Sequence, residues 1–229
     1  MFDGCENVIV DFDCPENTGT WAESHTDAIL VQMTDRPNFS LSEARNAGAR
    51  NASGEFLFFI DADTILTPEF FEQVFQTIDE SSFVSLRGRS KGQGGVIVAP
   101  AKAFLDIGGY DEVFSGWGVE DNDIYLRLSK ILEPRFIEAS LAGQIDHGDS
   151  KRTENYTVES INQSEQRNEL YRRLRSVFIS YALDESSLPR RRRLMSLAGK
   201  IQSLTGTFIL RRLLNLILLM TPENKKRQS

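Results

Sequence analysis

One stretch restricts the fold more than any other. Glu55-Phe-Leu-Phe-Phe-Ile60 is a continuous apolar run of strand length, and it ends in Asp61-Ala-Asp63. A run with no polar alternation predicts a strand covered on both faces, as in a sheet sandwiched between helices. The flanking pattern agrees. Residues 8–12 and 28–32 read as strands, and 42–52 as a helix stopped by Gly54. Pro68 opens a helix whose core face carries Phe70, Phe71, Val74 and Phe75. A strand is expected over 95–99, short helical structure over 100–107, a helix with an acidic start over 120–132 and a last strand over 136–140. The polar, glycine-rich segment 81–95 is expected to be a loop. Past Thr157 the pattern is helical, with a break around 186–189. The sum is one α/β domain over 1–150, Rossmann-like with a mainly parallel sheet, then a helical extension over 151–229.

Charge divides the chain. Residues 189–229 hold ten Lys/Arg against Glu223 and so carry +9; with a total of −7, the rest carries −16. An acidic body with a basic tail suggests two jobs in two places. The body has no basic face interleaved with aromatics, which argues against nucleic acid as a partner. In the tail, Arg190 to Arg193 precede an apolar run from Leu204 to Met220, interrupted by Arg211, Arg212 and Asn215. Arginines near the middle argue against a spanning helix. Two readings stay open: a helix lying on an anionic membrane, or one packed on the body or on a second subunit. Cys5 and Cys14 form neither a disulfide framework nor a ligand set, and Met1 is followed by no apolar leader. Both features predict a cytoplasmic protein, peripheral on the membrane if the tail binds lipid.

Two constellations carry chemistry. Asp61 and Asp63 stand at the carboxyl end of the buried strand, where α/β sheets bind ligands. Their hard oxygens suit Mn²⁺ or Mg²⁺ holding a diphosphate; alternatively, Asp63 caps the next helix. The second is Gly116-Trp-Gly-Val-Glu-Asp-Asn-Asp123. Its glycines let the backbone approach a ligand, and Trp117 offers a flat face for a sugar ring. Glu120, Asp121 and Asp123 form either an acidic first helical turn or a catalytic group.

Taken together, 8–13, Leu41-Ser-Glu-Ala-Arg-Asn-Ala-Gly48, 54–63 and Gly108-Gly-Tyr-Asp-Glu112 resemble the GT-A family 2 glycosyltransferases. Residues 114–124 are similar to the C-terminal motif of beta-1,4-galactosyltransferases and chondroitin-type capsule polymerases. The resemblance implies a metal-assisted, inverting transfer of a hexose or N-acetylhexosamine from a nucleotide sugar, UDP-linked, to a glycan or lipid-linked acceptor. It implies that Asp11 or Asp13 meets the base, that Asp61 meets the ribose or metal, and that Arg45 helps bind the nucleotide. Asp63 would ligate the metal, and His147 would complete its shell, with Gln144 where the galactosyltransferases have methionine. Asp121, with Glu120 beside it, would take the acceptor proton, while Tyr110, Gly116, Trp117 and Gly118 would bind substrate. Family members open with an apolar strand, yet this chain reaches what looks like their second strand within a few residues of Met1. A sheet lacking its first strand is therefore expected, and with it either an active transferase or an inactive sugar-binding relative. A nucleotidyltransferase would want a Gly-rich, basic phosphate loop near the start, and none is present.

Overall fold

The computed structural model describes residues 4–36, 38–87, 95–145 and 160–204. Its centre is a four-stranded sheet in the order β3-β6-β5-β7, formed by β3 (Phe56–Phe59), β6 (Ile97–Pro100), β5 (Ser82–Arg87) and β7 (Glu133–Glu138). Alternate side chains of these strands feed two cores. Leu57, Phe59, Phe83, Ile97 and Ala99 pack on one face with Ala49 of α2 (Leu41–Asn51), Phe104 of α4 (Ala101–Asp106) and Ile124 of α5 (Glu120–Leu128). Val84, Leu86, Val98 and Ile137 pack on the other face with Phe70 and Val74 of α3 (Pro68–Thr77). Both faces of β3 are thus covered, as its unbroken apolar run requires.

The α/β class holds, but the sheet is mixed rather than mainly parallel. β5 pairs with β7 in parallel, whereas β6 runs antiparallel to both β3 and β5. The link from β5 to β6 is too short for a helical crossover, so the chain must turn back on itself. The loop expected over 81–95 is likewise corrected at its start. Phe83, Val84 and Leu86 are buried, and Ser82 and Ser85 are buried with them, so this polar-looking segment is one of the sheet's two interior strands.

β1 (Val8–Asp11) and β2 (Ile29–Gln32) form a separate parallel pair, with α1 (Thr18–His25) between them in the chain. Among the described residues neither pairs with β3. α2 joins the two sheets: Gly48 lies against Val10 and Val8, where a Cβ would come within 3.3 Å of Val10 Cγ2, and Ala49 faces the main core.

The basic segment does not hang free at its beginning. α6 (Ile161–Phe178) and α7 (Leu188–Leu204) pack on each other and on Phe114 through Leu170, Tyr171 and Ala198. Arg191, one of the four consecutive arginines, is buried, and its Nη1 donates to Asp111 Oδ1 at 2.5 Å. Over 188–204 the docked reading is therefore the observed one, and residues 205–229 lie outside the described residues. No helix among the described residues is long and apolar enough to cross a membrane.

Candidate active site

α2 begins at Ser40, whose hydroxyl accepts from the Glu43 amide at 3.3 Å, and it turns Arg45 and Asn46 inward. Arg45 is the hinge of the site. Its Nη2 donates to Asp61 Oδ1 at 2.5 Å and its Nη1 to Asp121 Oδ1, so two motifs far apart in sequence meet on one guanidinium. The cation lies 5.0 Å above the ring of Tyr110, an orientation the ring's quadrupole favours. Tyr110 is 1% exposed, wedged against Phe59 and Phe104. The expectation that it binds substrate is corrected: the ring is buried and supports Arg45 from below. Asn46 holds that loop from the helix, donating to the Tyr110 carbonyl at 2.9 Å and accepting from its amide at 2.8 Å. Gly95 closes the other side. A Cβ there would overlap Arg45 Nη2 and Asp61 Oδ2, so no side chain fits without displacing the pair.

Among the described residues one cation, Arg45, serves several acids here. Burial pushes the Asp61 carboxyl up, and Arg45 only partly restores it. Glu120 is pushed up to about 7, first by burial and then by Asp121. Burial works against the charge of Arg45, but its neighbours, Asp121 foremost, hold its pKa well above the ordinary value. A site with more carboxylates than cations is suited to receive a further positive charge.

Asp63 lies one turn beyond Asp61, on the strand pair β4 (Thr64–Leu66) and β8 (Ala142–Gln144). That antiparallel pair brings Gln144 Nε2 within 3.1 Å of Asp63 Oδ2. The capping alternative for Asp63 is overturned. The cap of α3 is Thr67, whose hydroxyl accepts from the Phe70 amide at 3.2 Å, with Pro68 in the first turn. His147 lies outside the described residues. Among the described residues no three His, Cys, Asp or Glu converge into a metal site. The oxygens present still fit a divalent ion delivered with a diphosphate, which needs one or two carboxylates and takes its other ligands from phosphate and water.

The run Glu120-Asp-Asn-Asp123 is split by the helix it starts. Glu120 and Asp121 face Arg45, whereas Asp123 turns into the core and meets Arg127 Nε at 2.8 Å and Arg175 Nη2. Burial pushes the Asp123 carboxyl up, but Arg127 and Arg175 outweigh it and hold the pKa below the ordinary value. Just before the helix, Gly116 and Gly118 have φ of 70° and 88° and Val119 has φ of 84°. A β-branched residue in that region is strained by about 1–3 kcal/mol and persists only if its surroundings hold it. α6 supplies the hold. Asn168 Nδ2 donates to the carbonyls of Ser115, Trp117 and Gly118, and Ser164 Oγ accepts from the Trp117 amide at 2.8 Å. Trp117 itself is half-buried on this loop.

At the end of β1 the two candidate base contacts differ. Asp11 is buried, with one oxygen accepting from Cys14 N at 2.9 Å and the other from Gly19 N at 2.8 Å. Its carboxylate is committed to the turn into α1, which leaves Asp13 as the exposed one of the two candidates. Asp13 is exposed, with φ of 56°, and accepts from the Arg36 amide at 3.2 Å. It lies beside Phe12, whose ring meets Phe39 edge-on at 5.4 Å. Sequence reasoning missed Gly95, Asn46 and Asn168 as site-builders. Only Asn46 left a trace, within the Ala-Arg-Asn-Ala-Gly run.

Comparison with known proteins bears on this geometry. The profile of glycosyl transferase family 2 matches residues 2–129. An uncharacterized glycosyltransferase of Haemophilus influenzae is 34% identical over 76 residues, a stretch spanning 33% of this chain and 25% of that protein. Among solved structures, the mannosyltransferase PcManGT of Pyrobaculum calidifontis, in complex with GDP-Man and Mn²⁺, aligns with a TM-score of 0.53 at 15% identity. The alignment covers 96% of this chain and 73% of that one. S. aureus TarS in complex with UDP-GlcNAc aligns with a TM-score of 0.57 at 13% identity, over 87% of this chain and 64% of that one.

Proposed function

The chain belongs to glycosyl transferase family 2, and from that premise we propose that it transfers a hexose or N-acetylhexosamine from a UDP-linked donor to a sugar hydroxyl, with inversion. The observation that carries this reading is Arg45, which holds Asp61 of the strand end and Asp121 of the acidic helix on one guanidinium. In this reading the donor lies between Asp13 and the Asp61–Asp63 turn, and the acceptor lies over Trp117. Asp63 and, from outside the described residues, His147 would hold Mn²⁺ or Mg²⁺, whose charge would neutralise the departing diphosphate. Arg45 orients Asp61 and Asp121 from below. Asp121 takes the proton from the acceptor hydroxyl as the hydroxyl oxygen attacks the anomeric carbon from the face opposite the diphosphate, and Glu120 fixes the acceptor. Measuring UDP release from UDP-hexoses and UDP-N-acetylhexosamines with Mn²⁺, Mg²⁺ or chelator tests this; release unaffected by excess chelator contradicts it.

The membrane half of the reading is narrowed by α7. Arg190, Arg192, Arg193, Leu197, Lys200 and Leu204 are exposed on it while Arg191 and Ala198 face the body. That face suits an anionic lipid surface on the cytoplasmic side, beside a lipid-linked acceptor. Replacing Arg190, Arg192 and Arg193 by Gln, which spares the docked face, is expected to abolish flotation with anionic liposomes. Unchanged flotation of the folded variant would count against it.

A further inference from the structure

The buried arginines of this protein follow a pattern. Arg45 has Asp61 and Asp121, Arg127 has Asp123, Arg172 has Glu169, Arg175 has Asp123, and Arg191 has Asp111. Arg167 of α6 departs from it. Its guanidinium is half-buried, Nη2 donates to the carbonyl of Ser115 and, at 3.1 Å, to the Ser115 hydroxyl, and Nε donates to Asn168 Oδ1 at 3.4 Å. Among the described residues no carboxylate lies within ion-pair distance, and Nη1 makes no hydrogen bond. Burial lowers the pKa of Arg167, and among the described residues no anion opposes it.

A half-buried guanidinium that no described carboxylate neutralises keeps donors on its open side that can pair with an incoming anion. The place where it stands is informative. The carbonyl and hydroxyl of Ser115 that it grips precede Trp117 by two residues, on the loop assigned above to the acceptor. We propose that Arg167 binds an anionic group of the acceptor, a carboxylate or a phosphate, held against the loop while the sugar ring stacks on Trp117. The acceptor is then an acidic glycan, and Nη1 supplies the charge-assisted bonds that select it over a neutral one. This rests on the reading of the Trp117 loop as the acceptor side.

The chain has two tryptophans, so Trp21→Phe leaves Trp117 as the sole tryptophan of the full-length protein, read by selective tryptophan excitation. In that background, glucose, glucuronate and glucose 6-phosphate, which differ only at C6, are titrated at constant ionic strength. Glucuronate or glucose 6-phosphate should bind about 10- to 100-fold tighter than glucose, the worth of a charge-assisted hydrogen bond. Which of the two binds distinguishes carboxylate from phosphate. Arg167→Gln should erase the preference, and Arg167→Lys should retain part of it. Equal binding of all three sugars, failure of both charged sugars to bind, or an equal weakening of all of them by Arg167→Gln would overturn the proposal and leave Arg167 as a clamp on Ser115. Should Arg167→Gln not fold, the charged-to-neutral ratio of the wild type and of Arg167→Lys decides. These titrations need no turnover, so a chain that binds glucuronate yet fails to bind UDP with Mn²⁺ refutes the donor reading and leaves this one standing.

Discussion

Two buried clusters of arginine and aspartate lie on either side of α5, and their difference separates function from scaffold. In one, Arg45 is, among the described residues, the cation that faces Asp61, Asp121 and Glu120, and the acids keep some contact with solvent. In the other, Asp111 and Asp123 are sealed from solvent and multiply paired. Arg127, Arg175, Arg191 and Tyr171 surround them, and Arg127 spends its remaining donors on the carbonyls of Ile107 and Gly109. The same chemistry gives a centre that, among the described residues, has more carboxylates than cations and can receive a ligand, and a centre whose charges are matched by several partners, with Arg175 Nε left without a hydrogen bond, which locks α6 and α7 onto the body. A single helix carries both: Glu120 and Asp121 serve the first, Asp123 the second.

The largest effect expected on this contrast is at the strand end. Asp63→Ala should abolish transfer by removing a carboxylate oxygen from the cation while leaving the thermal midpoint near that of the wild type. UDP release with titrated Mn²⁺ is the readout, and retained activity would break the assignment. Next comes the sealed centre. Asp123→Ala strands Arg127 and Arg175 and should cost about 3–5 kcal/mol in chemical denaturation, the usual penalty for breaking a buried pair. A loss below 1 kcal/mol would mean that the two centres are not different in kind.

The pH dependence of stability separates them by sign. The Glu120 carboxyl rises in the folded state from an ordinary value of 4.5 to about 7. Its contribution is therefore fully present below 4.5 and is lost as pH rises through about 7. Relative to Glu120→Gln, the wild type should lose on the order of 1–3 kcal/mol across that window. Asp123, held below its ordinary 3.8, contributes above that pH and loses its contribution on acidification. A wild type that gains stability relative to Glu120→Gln as pH rises would reverse the assignment. The smallest effect is at the strained residue between the centres. Val119→Gly and Val119→Ala both lose the side chain, but only Gly relieves the positive φ, so the Gly variant should be the more stable by about 1 kcal/mol. Equal stabilities would show that the left-handed turn stores no strain.

Much of this was legible in the sequence where the signal is local. The apolar run before Asp61-Ala-Asp63 announced a two-faced strand because burial on both sides leaves no polar alternation. Ser82 and Ser85 hid an interior strand, because small hydroxyls inside a sheet read like those of a loop. Arg45 was visible as a nucleotide-binding candidate, but its bridge to Asp121 depends on the fold bringing α2 beneath α5. Arg175 and Arg191 gave no signal. An arginine that pairs across the chain looks, in sequence, like one that faces water, which is why the docked start of the basic segment emerged only in three dimensions.

The central claim is that the Arg45 centre performs chemistry through Asp121, and turnover of Asp121→Asn tests it most directly. The variant should bind UDP with Mn²⁺ and melt much as the wild type does, while kcat falls roughly 10²- to 10⁴-fold, the usual worth of a positioned general base. A mild Asp121→Asn beside a crippled Glu120→Gln would contradict the account.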